Sequence, residues 1–247
     1  MRSVTHFIPP PSRCEYLKDR KWQLEYEEFA SISRLEYHER MLVGWRRFGH
    51  MLFRPHCPTC NACKPLRVKV DEFEPNRSQR RAERSNERVE LQIGEPDLIE
   101  AVFSLYHRYH EHQHHAKSWT AHNDNDPFTF YLTFVAQPFE TEAWYFVEDG
   151  RLLGVGYVDV LPDGLSAIYF FYEPTEMKRS LGTFNILSLI RRAKQLELPF
   201  VYLGYFVEGS KSMAYKALFK PFELLDGGVW RPCEPERPAA ATEPPLT

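Results

Sequence analysis

The side chains best suited to chemistry are three cysteines that lie close together in the chain. The segment Cys57-Pro-Thr-Cys60-Asn-Ala-Cys63 spaces three thiols three residues apart, and Cys14 could supply a fourth. Four sulfur ligands suit a tetrahedral zinc ion or an iron-sulfur cluster. The alternative is that these are small buried side chains, because a structural zinc site usually draws on two cysteine-pair segments. The sequence thus predicts a structural zinc or iron-sulfur cluster as one of two interpretations, with Cys233 outside it.

A second group of candidates is a run of arginines that a helix would align on one face. Their spacing of i, i+3, i+4, i+7 and i+11 forms a single basic stripe, and Asn76 just before them is a typical N-cap. Such a stripe matches the phosphates of a nucleic acid, although a solvated helix of mixed charge has a similar pattern. The candidate nucleic-acid contacts are Arg77, Arg80, Arg81, Arg84 and Arg88.

A histidine-rich segment follows, at residues 107–122. His110 and His114 are one helical turn apart, but no carboxylate stands beside them in a known metal-ligand pattern. We therefore interpret His114 as a candidate proton relay rather than as a metal ligand.

A turn at residues 179–183 could bind an anion through its backbone amides and the helix that begins there. Acetyltransferases hold the coenzyme A pyrophosphate on a related turn, and Arg179 and Gly182 occupy two of its positions here. The last small residue of that turn is replaced by Thr183, so a simple helix start is the alternative interpretation. Arg179 and Gly182 are candidate substrate-binding residues.

Composition limits the classes of protein to which the chain can belong. The 247 residues carry 31 Lys and Arg against 34 Asp and Glu, a formal charge of -3, which excludes a wholly basic nucleic-acid binder. Membrane spans need about 18 to 20 consecutive apolar residues, and no such run or signal peptide is present. Five cysteines are too few for a disulfide scaffold. We expect no membrane partner and a cytoplasmic protein.

The elements that must position these residues are clearest in the second half. Two β-prone runs meet at Asp149-Gly150, a two-residue hairpin signal, and a third run follows Pro162-Asp163-Gly164. A helix with apolar residues at i, i+3 spacing comes next, then a strand after Pro199 and a short helix over Ser212–Phe219. This order resembles that of an acyltransferase domain of the N-acetyltransferase (GNAT) type, a likeness of fold that says nothing about substrate.

These observations predict an α+β fold in which a small cysteine-bearing domain packs on a GNAT-like domain. The expected divisions are an N-terminal cysteine-loop domain over 1–75 and an Arg-rich helical connection over 76–95. The GNAT-like domain covers 96–231, and a disordered Pro- and Ala-rich tail covers 232–247.

Several motifs occur in order along nearly the whole chain. They are Cys14-Glu-Tyr-Leu, Phe53-Arg-Pro-His-Cys-Pro-Thr-Cys-Asn-Ala-Cys, Ser78-Gln-Arg-Arg, Tyr106-x-x-Tyr109, Arg179-Ser-Leu-Gly-Thr-Phe-Asn, Tyr202-Leu-Gly-Tyr and Met213-Ala-Tyr-Lys-Ala-Leu-Phe. With them the sequence resembles the arginyl/leucyl-tRNA-protein transferase family, most closely its bacterial branch. The resemblance implies transfer of leucine from charged tRNA to proteins with N-terminal Asp or Glu, which marks them for N-end-rule degradation. The arginine stripe then becomes a candidate tRNA-binding surface.

Five residues receive candidate roles in such a reaction. Arg54 is the first choice to bind the acceptor carboxylate, because guanidinium binds carboxylate bidentately, and Lys216 is the second. Tyr205 and Tyr215 could orient the terminal adenosine or donate to the oxyanion, with His114 as the proton relay. The alternative for the tyrosines is core packing with a satisfied hydroxyl, and the alternative for Arg54 is a structural hydrogen bond to the cysteine loop. No cofactor is required for this chemistry.

Three other functions stay open at this point. The donated residue could be arginine rather than leucine. An acetyl-CoA-dependent N-acetyltransferase would explain the second half of the chain but not the cysteine loop or the arginine stripe. A non-catalytic, metal-bearing RNA-binding module would explain only the first half.

Overall fold

The computed structural model describes residues 1–117, 126–210 and 212–233. In its first half, two helices interrupt a series of strands. The elements are β1 Arg2–Phe7, β2 Ser12–Arg13, β3 Lys21–Trp22, β4 Leu24–Ser31, α1 Arg34–Leu42, β5 Arg46–Phe48, β6 Met51–Pro55, β7 Cys63–Lys69, α2 Arg77–Ser85 and β8 Glu90–Gly94.

The second half carries the longest strands and helices. It comprises α3 Glu100–Lys117, α4 Pro127–Phe130 with a π turn at Tyr131–Val135, β9 Thr141–Glu148, β10 Arg151–Leu161, β11 Gly164–Tyr172, a 3-10 turn Pro174–Arg179, α5 Leu181–Gln195, β12 Phe200–Val207, a 3-10 turn Ala214–Leu218, β13 Phe222–Asp226 and β14 Val229–Pro232. No helix in the described part of the chain is long and apolar enough to cross a membrane.

The local turn signals in the second half are confirmed. Asp149 and Gly150, with φ of 50° and 77°, connect β9 to β10, as a two-residue hairpin requires. The predicted helix is α5, whose apolar face packs on β11 and β12. The predicted last helix is only the 3-10 turn Ala214–Leu218.

A large mixed sheet joins the two halves of the chain. Its eight strands run in the order β14-β13-β7-β12-β11-β10-β9-β8. Strand β7, which follows the cysteine loop, lies between β12 and β13 and pairs antiparallel with both. The expected boundary at residue 75 therefore does not separate two sheets.

Two further expectations on the chain's divisions need correction. The segment predicted as a helical connection contains β8, which pairs with β9 at the edge of the large sheet. Strand β14 reaches Pro232, so the predicted tail cannot begin there. The remainder of that tail, residues 234–247, lies outside the described residues.

A smaller sheet of four strands, in the order β1-β4-β6-β5, packs beside the large one. The two sheets are joined by Arg47 and Asp159, whose side chains are both fully buried. Arg47 Nε donates to Asp159 Oδ2 at 3.0 Å, and Thr141 Oγ1 donates to Asp159 Oδ1 at 2.9 Å. This network fixes the small sheet, and with it the cysteine loop, relative to β10.

Candidate active site

Four cysteines lie near the start of β7. Cys57 and Cys60 lie in the loop between β6 and β7, Cys63 begins β7, and Cys14 comes from the N-terminal segment; all four are partly exposed. Burial, and then the nearby Cys57, Cys14 and Cys60, raise the pKa of Cys63 to about 12. Cys63 is thus within electrostatic reach of the other three thiols.

Cys14 lies in a tight turn whose backbone amides point at its sulfur. Its Sγ accepts hydrogen bonds from the amides of Tyr16 and Leu17, both at 3.4 Å, and its own amide donates to the Arg20 carbonyl at 2.9 Å. Four sulfur side chains are the donor set that a thiophilic metal takes in proteins. Across residues 1–117, 126–210 and 212–233, however, no three potential ligands are assembled closely enough to hold an ion. The metal site stays a prediction.

We expect anaerobically purified protein to contain near-stoichiometric zinc or iron. Cys60→Ser should lose the metal and some thermal stability, because each ligand contributes to a site that links Cys14 to the loop. Cys233→Ser, in an exposed position, is the control and should keep the metal. Metal analysis that finds folded, active protein without metal would contradict the prediction.

A cavity of about 740 Å³ opens between the cysteine loop and the large sheet. Its lining includes three thiols together with cationic and aromatic side chains. The lining residues that matter below are Arg54, Cys57, Cys60, Cys63, Lys64 and Tyr205.

Arg54, on β6, presents a cation to this cavity. Its Nε donates to Glu25 Oε2 at 2.6 Å, and its guanidinium carbon lies 4.6 Å from the centre of the Trp45 ring. Its two terminal amino groups donate to no group within the described residues. The Nε bond goes to Glu25, and not to the cysteine loop as the structural alternative expected. Arg54 thus retains the bidentate edge that a carboxylate needs.

Tyr205 and Lys216 are brought together by a β-bulge. The pairing of β12 with β7 is irregular between Tyr202 and Tyr205, and Gly204 there has a φ of 72°, a conformation that favours glycine. The bulge directs the Tyr205 carbonyl to Lys216, whose Nζ donates to it at 2.7 Å. Burial, assisted by Arg46, lowers the pKa of Lys216 to about 8.

The Tyr205 hydroxyl already has an acceptor. It donates to the Gly44 carbonyl at 2.7 Å, and burial raises its pKa, so the phenol is neutral at physiological pH. The predicted donation to an oxyanion would require it to leave Gly44. The alternative of core packing with a satisfied hydroxyl thus describes the present contact of Tyr205.

Arg46, which the sequence did not single out, lies behind these two residues. It is buried, and its guanidinium carbon lies 5.7 Å from the centre of the Tyr205 ring. Nη1 donates to the carbonyl of Trp45 at 2.7 Å, while Nε and Nη2 have no partner in the part of the chain that the structure describes. Arg46 and Lys216 therefore make this side of the site electropositive. A single buried arginine in a strand gives no sequence signal.

Tyr215 is part of a tyrosine group that connects the cysteines to the large sheet. Its side chain is half-exposed, and it lies near Tyr16, Tyr109 and Tyr172. The rings of Tyr109 and Tyr172 are 5.2 Å apart. Burial, then Cys63 and Cys14, raise the pKa of Tyr16 to about 12. An exposed aromatic ring at this place could stack on a base.

Helix α2 carries most of the arginine stripe. Asn76 is its N-cap as predicted, accepting from the amides of Ser78 and Gln79. Gln79 also donates to the Leu218 carbonyl at 3.1 Å, which attaches α2 to the turn that carries Tyr215 and Lys216. The exposed arginines on the helix are Arg77, Arg80, Arg81 and Arg84.

The inclusion of Arg88 in this stripe was wrong. The helix ends at Ser85 and is capped by Asn86, so Arg88 lies beyond it. Its Nη2 pairs instead with Asp149 Oδ2 at 2.6 Å in the hairpin between β9 and β10.

Replacement of Arg80, Arg81 and Arg84 by alanine should weaken tRNA binding and flatten its dependence on salt. Each lost phosphate contact lowers the slope of log K against log salt by about one. Binding titrations at several salt concentrations measure this slope. A triple alanine variant at the exposed Arg2, Arg34 and Arg151 removes the same charge from other elements and should leave the slope unchanged. Equal slopes in the parent protein and the two variants would mean that α2 is a solvated surface helix that makes no phosphate contacts.

Arg179 and Gly182 lie in the segment that the sequence analysis predicted to be an anion-binding turn. The Arg179 guanidinium, however, is already paired with a carboxylate. Its Nη1 and Nη2 donate to the two carboxylate oxygens of Glu148 at 2.7 and 2.8 Å. Ser180 has a φ of 58° and α5 begins at the next residue. This ion pair accounts for Arg179 without a ligand, and the helix-start interpretation describes the turn.

His114 lies on the exposed side of α3, with its ring 5.4 Å from that of His115. His110, one turn earlier, is buried, and its Nε2 shares a hydrogen bond of 2.9 Å with the Tyr169 hydroxyl. The two histidines therefore face different surroundings. The role of His114 as a relay stays a prediction, and His122 lies outside the described residues.

Comparison with known proteins relates this whole arrangement to one family. Residues 12–81 match the description "Arginine-tRNA-protein transferase, N terminus", and residues 101–226 match the corresponding C terminus. An aspartate/glutamate leucyltransferase of Marinobacter nauticus is 38% identical over 94% of this chain and 97% of its own length. A second, of Pseudomonas fluorescens strain Pf0-1, is 40% identical over 91% of this chain and 94% of its own.

Among solved structures the likeness is weaker. The C-terminal domain of a lysylphosphatidylglycerol synthetase from Agrobacterium fabrum is 11% identical, with a TM-score of 0.47 over 68% of this chain and 61% of that one. This score is too low to assign a shared fold. The sequence matches, by contrast, include the cysteine loop, the arginine helix, the cavity and the large sheet, and they show that the chain belongs to the arginine-tRNA-protein transferase family.

Proposed function

We propose that this enzyme transfers leucine from leucyl-tRNA to proteins that begin with Asp or Glu, and so marks them for N-end-rule degradation. The observation that carries the proposal is Arg54, which presents its bidentate edge to a cavity in a member of this transferase family. The names of the relatives from Marinobacter and Pseudomonas support the choice of acceptor and of leucine. Because its donor is charged tRNA, we place the enzyme in the cytoplasm.

A GNAT-like arrangement of the large sheet supports acyl transfer. The antiparallel strands β9, β10 and β11 are followed by α5 and β12, the order expected of that fold. Strands β11 and β12 pair in parallel at only three positions, from Gly164 with Phe200 to Ser166 with Tyr202. Beyond them, β12 turns at Gly204 toward Lys216. The opening between these strands is the proposed place for the aminoacyl end of the tRNA.

The reaction is an aminolysis of the ester. The acceptor nitrogen attacks the ester carbonyl carbon, the bond from that carbon to the ribose oxygen breaks, and the nitrogen loses a proton while the ribose oxygen gains one. An α-amine has a pKa of about 7.7 to 8.0, so a large neutral fraction exists at physiological pH. Positioning supplies much of the rate, and no covalent intermediate is required.

Different residues of this chain bind the acceptor and the charged tRNA. Arg54 binds the acceptor carboxylate, and the positive field of Lys216 and Arg46 favours the developing oxyanion. Tyr215 stacks on the terminal adenosine, and α2 binds phosphates of the acceptor arm. A metal bound by Cys14, Cys57, Cys60 and Cys63 would link the N-terminal segment to the wall of the cavity and has no part in the bond changes.

Transfer of labelled amino acids tests the proposal. Leucyl-tRNA and arginyl-tRNA are offered separately, with peptides that begin with Asp, Glu or Ala as acceptors. We expect leucine to appear on the Asp and Glu peptides only. Arginine on the same peptides would identify an arginyltransferase. Absence of transfer together with calorimetric binding of coenzyme A would favour an N-acetyltransferase, and tRNA binding without transfer would favour an RNA-binding module.

A further inference from the structure

The carboxylate of Glu25 lies behind Arg54, on the side away from the bidentate edge. We infer that Glu25 is a positioning residue, which orients the Arg54 guanidinium toward the acceptor carboxylate and is itself held by His6. The inference rests on the proposed function, because it assigns how the acceptor pocket of that function is pre-organised.

The contacts of Glu25 fix Arg54 from two directions. Glu25 and Arg54 are direct cross-strand partners on β4 and β6, and the bond from Arg54 Nε to Glu25 Oε2 is 2.6 Å long. The other oxygen of Glu25, Oε1, is 2.8 Å from His6 Nε2. The Trp45 ring packs against the guanidinium as well, with its centre 4.6 Å from the guanidinium carbon. The carboxylate and the indole therefore both restrict the movement of the guanidinium.

The choice of nitrogen matters for recognition. A guanidinium offers a carboxylate two bidentate edges, one formed by both terminal amino groups and one that includes Nε. Glu25 takes Nε and leaves the two terminal amino groups available. A flexible arginine would lose more rotational freedom on binding, so an arginine held in this way binds an incoming carboxylate with less entropic cost.

A neighbouring pair shows what an equivalent contact looks like away from the cavity. Glu27 lies two residues along β4, on the same face, and is 8% exposed, as is Glu25. It pairs with Arg40 Nη1 at 3.3 Å, and Arg40 packs on the same Trp45 ring at 5.7 Å. Glu27 and Arg40 do not line the cavity. They provide a matched control in burial, strand and charge.

The charge of Glu25 also acts against the acceptor, since two carboxylates then approach one guanidinium. The positioning role and this repulsion predict opposite results, and two variants separate them. Glu25→Gln keeps an oxygen that can accept from Nε but removes the charge, whereas Glu25→Ala removes both. Positioning predicts a loss in Glu25→Ala that Glu25→Gln largely restores.

Kinetics of leucine transfer to a Glu-starting peptide test the inference. We expect Glu25→Ala to lower kcat/KM about tenfold, the value of one charged hydrogen bond, mainly through the KM of the peptide. The KM of leucyl-tRNA should not change. Glu25→Gln should retain most of the activity, and Glu27→Ala should behave as the parent protein. Thermal unfolding of each variant reports its stability. If Glu25→Ala does not fold, His6→Ala takes its place and should also raise the KM of the peptide, by a smaller factor than that expected of Glu25→Ala.

Two outcomes overturn the inference separately from the function. If the parent protein transfers leucine but Glu25→Ala has the peptide KM of Glu27→Ala, Glu25 does not position Arg54. A higher kcat/KM in Glu25→Gln than in the parent would show that repulsion dominates. If the parent protein transfers no leucine to acidic peptides, the proposed function itself fails, and the inference fails with it.

Discussion

Replacement of Arg54 by alanine is expected to lower kcat/KM for Asp- and Glu-starting peptides by about 2 to 4 kcal/mol of transition-state stabilisation. An acceptor carboxylate that enters a partly dry cavity must be paired, because an unpaired charge there costs several kcal/mol. Binding of charged tRNA should remain near normal, since Arg54 lies by the cysteine loop and not on α2. Steady-state kinetics with each substrate varied in turn separate the two effects.

The lysine variant is the control for geometry. Arg54→Lys should recover only part of the loss, because an ammonium cannot reproduce two parallel N–H bonds. If Arg54→Ala retained the full preference for Glu over Ala at the peptide terminus, Arg54 would be structural. The carboxylate site would then move to Lys216, which lies with Arg46 on the electropositive side of Tyr205.

Asp159→Ala should lower the free energy of unfolding by about 3 to 5 kcal/mol, the usual cost of breaking a buried ion pair from one side. The change leaves the buried Arg47 guanidinium without its anion, beside the rings of Tyr37 and Phe139, whose centres lie 5.4 and 4.6 Å from its carbon. Denaturant titration measures the loss. The expected loss is large because the substitution leaves a buried charge unpaired. That cost exceeds the net stabilisation that the intact ion pair provides.

An exposed pair in the same sheet serves as the comparison. Arg88 and Asp149 are bonded at 2.6 Å, but their side chains are 68% and 72% exposed. Arg88→Ala should therefore have almost no effect on the free energy of unfolding, since water screens both charges of this pair. Similar losses in Arg88→Ala and Asp159→Ala would mean that burial does not decide the contribution of these pairs.

Local signals in the sequence predicted the elements well. Asp149-Gly150, the Asn76 cap and the apolar spacing of α5 each depend on residues within one turn or hairpin, and all three are confirmed. The extent of α2 was wrong because Asn86 ends the helix two residues before Arg88, and the charge pattern contains no information about that cap.

Non-local pairing could not be predicted in the same way. Strand β7 enters the large sheet between β12 and β13, strands that come more than a hundred residues later. The pairing of Glu25 with Arg54 likewise depends on the register of β4 with β6. Arg46 and Arg54 are close in sequence and both are arginines, yet one is buried behind Tyr205 and the other faces the cavity. Only the packed structure separates them.

The central claim is that this enzyme recognises the charge of the acceptor's first side chain at the cavity beside the cysteine loop. The most direct measurement compares leucine transfer to two peptides that differ only in a first residue of Glu or Gln, which have nearly the same shape. We predict a preference for Glu of about 100-fold in kcat/KM, equivalent to about 2.7 kcal/mol. Equal kcat/KM values for the two peptides would contradict the account, because shape and not charge would then select the acceptor.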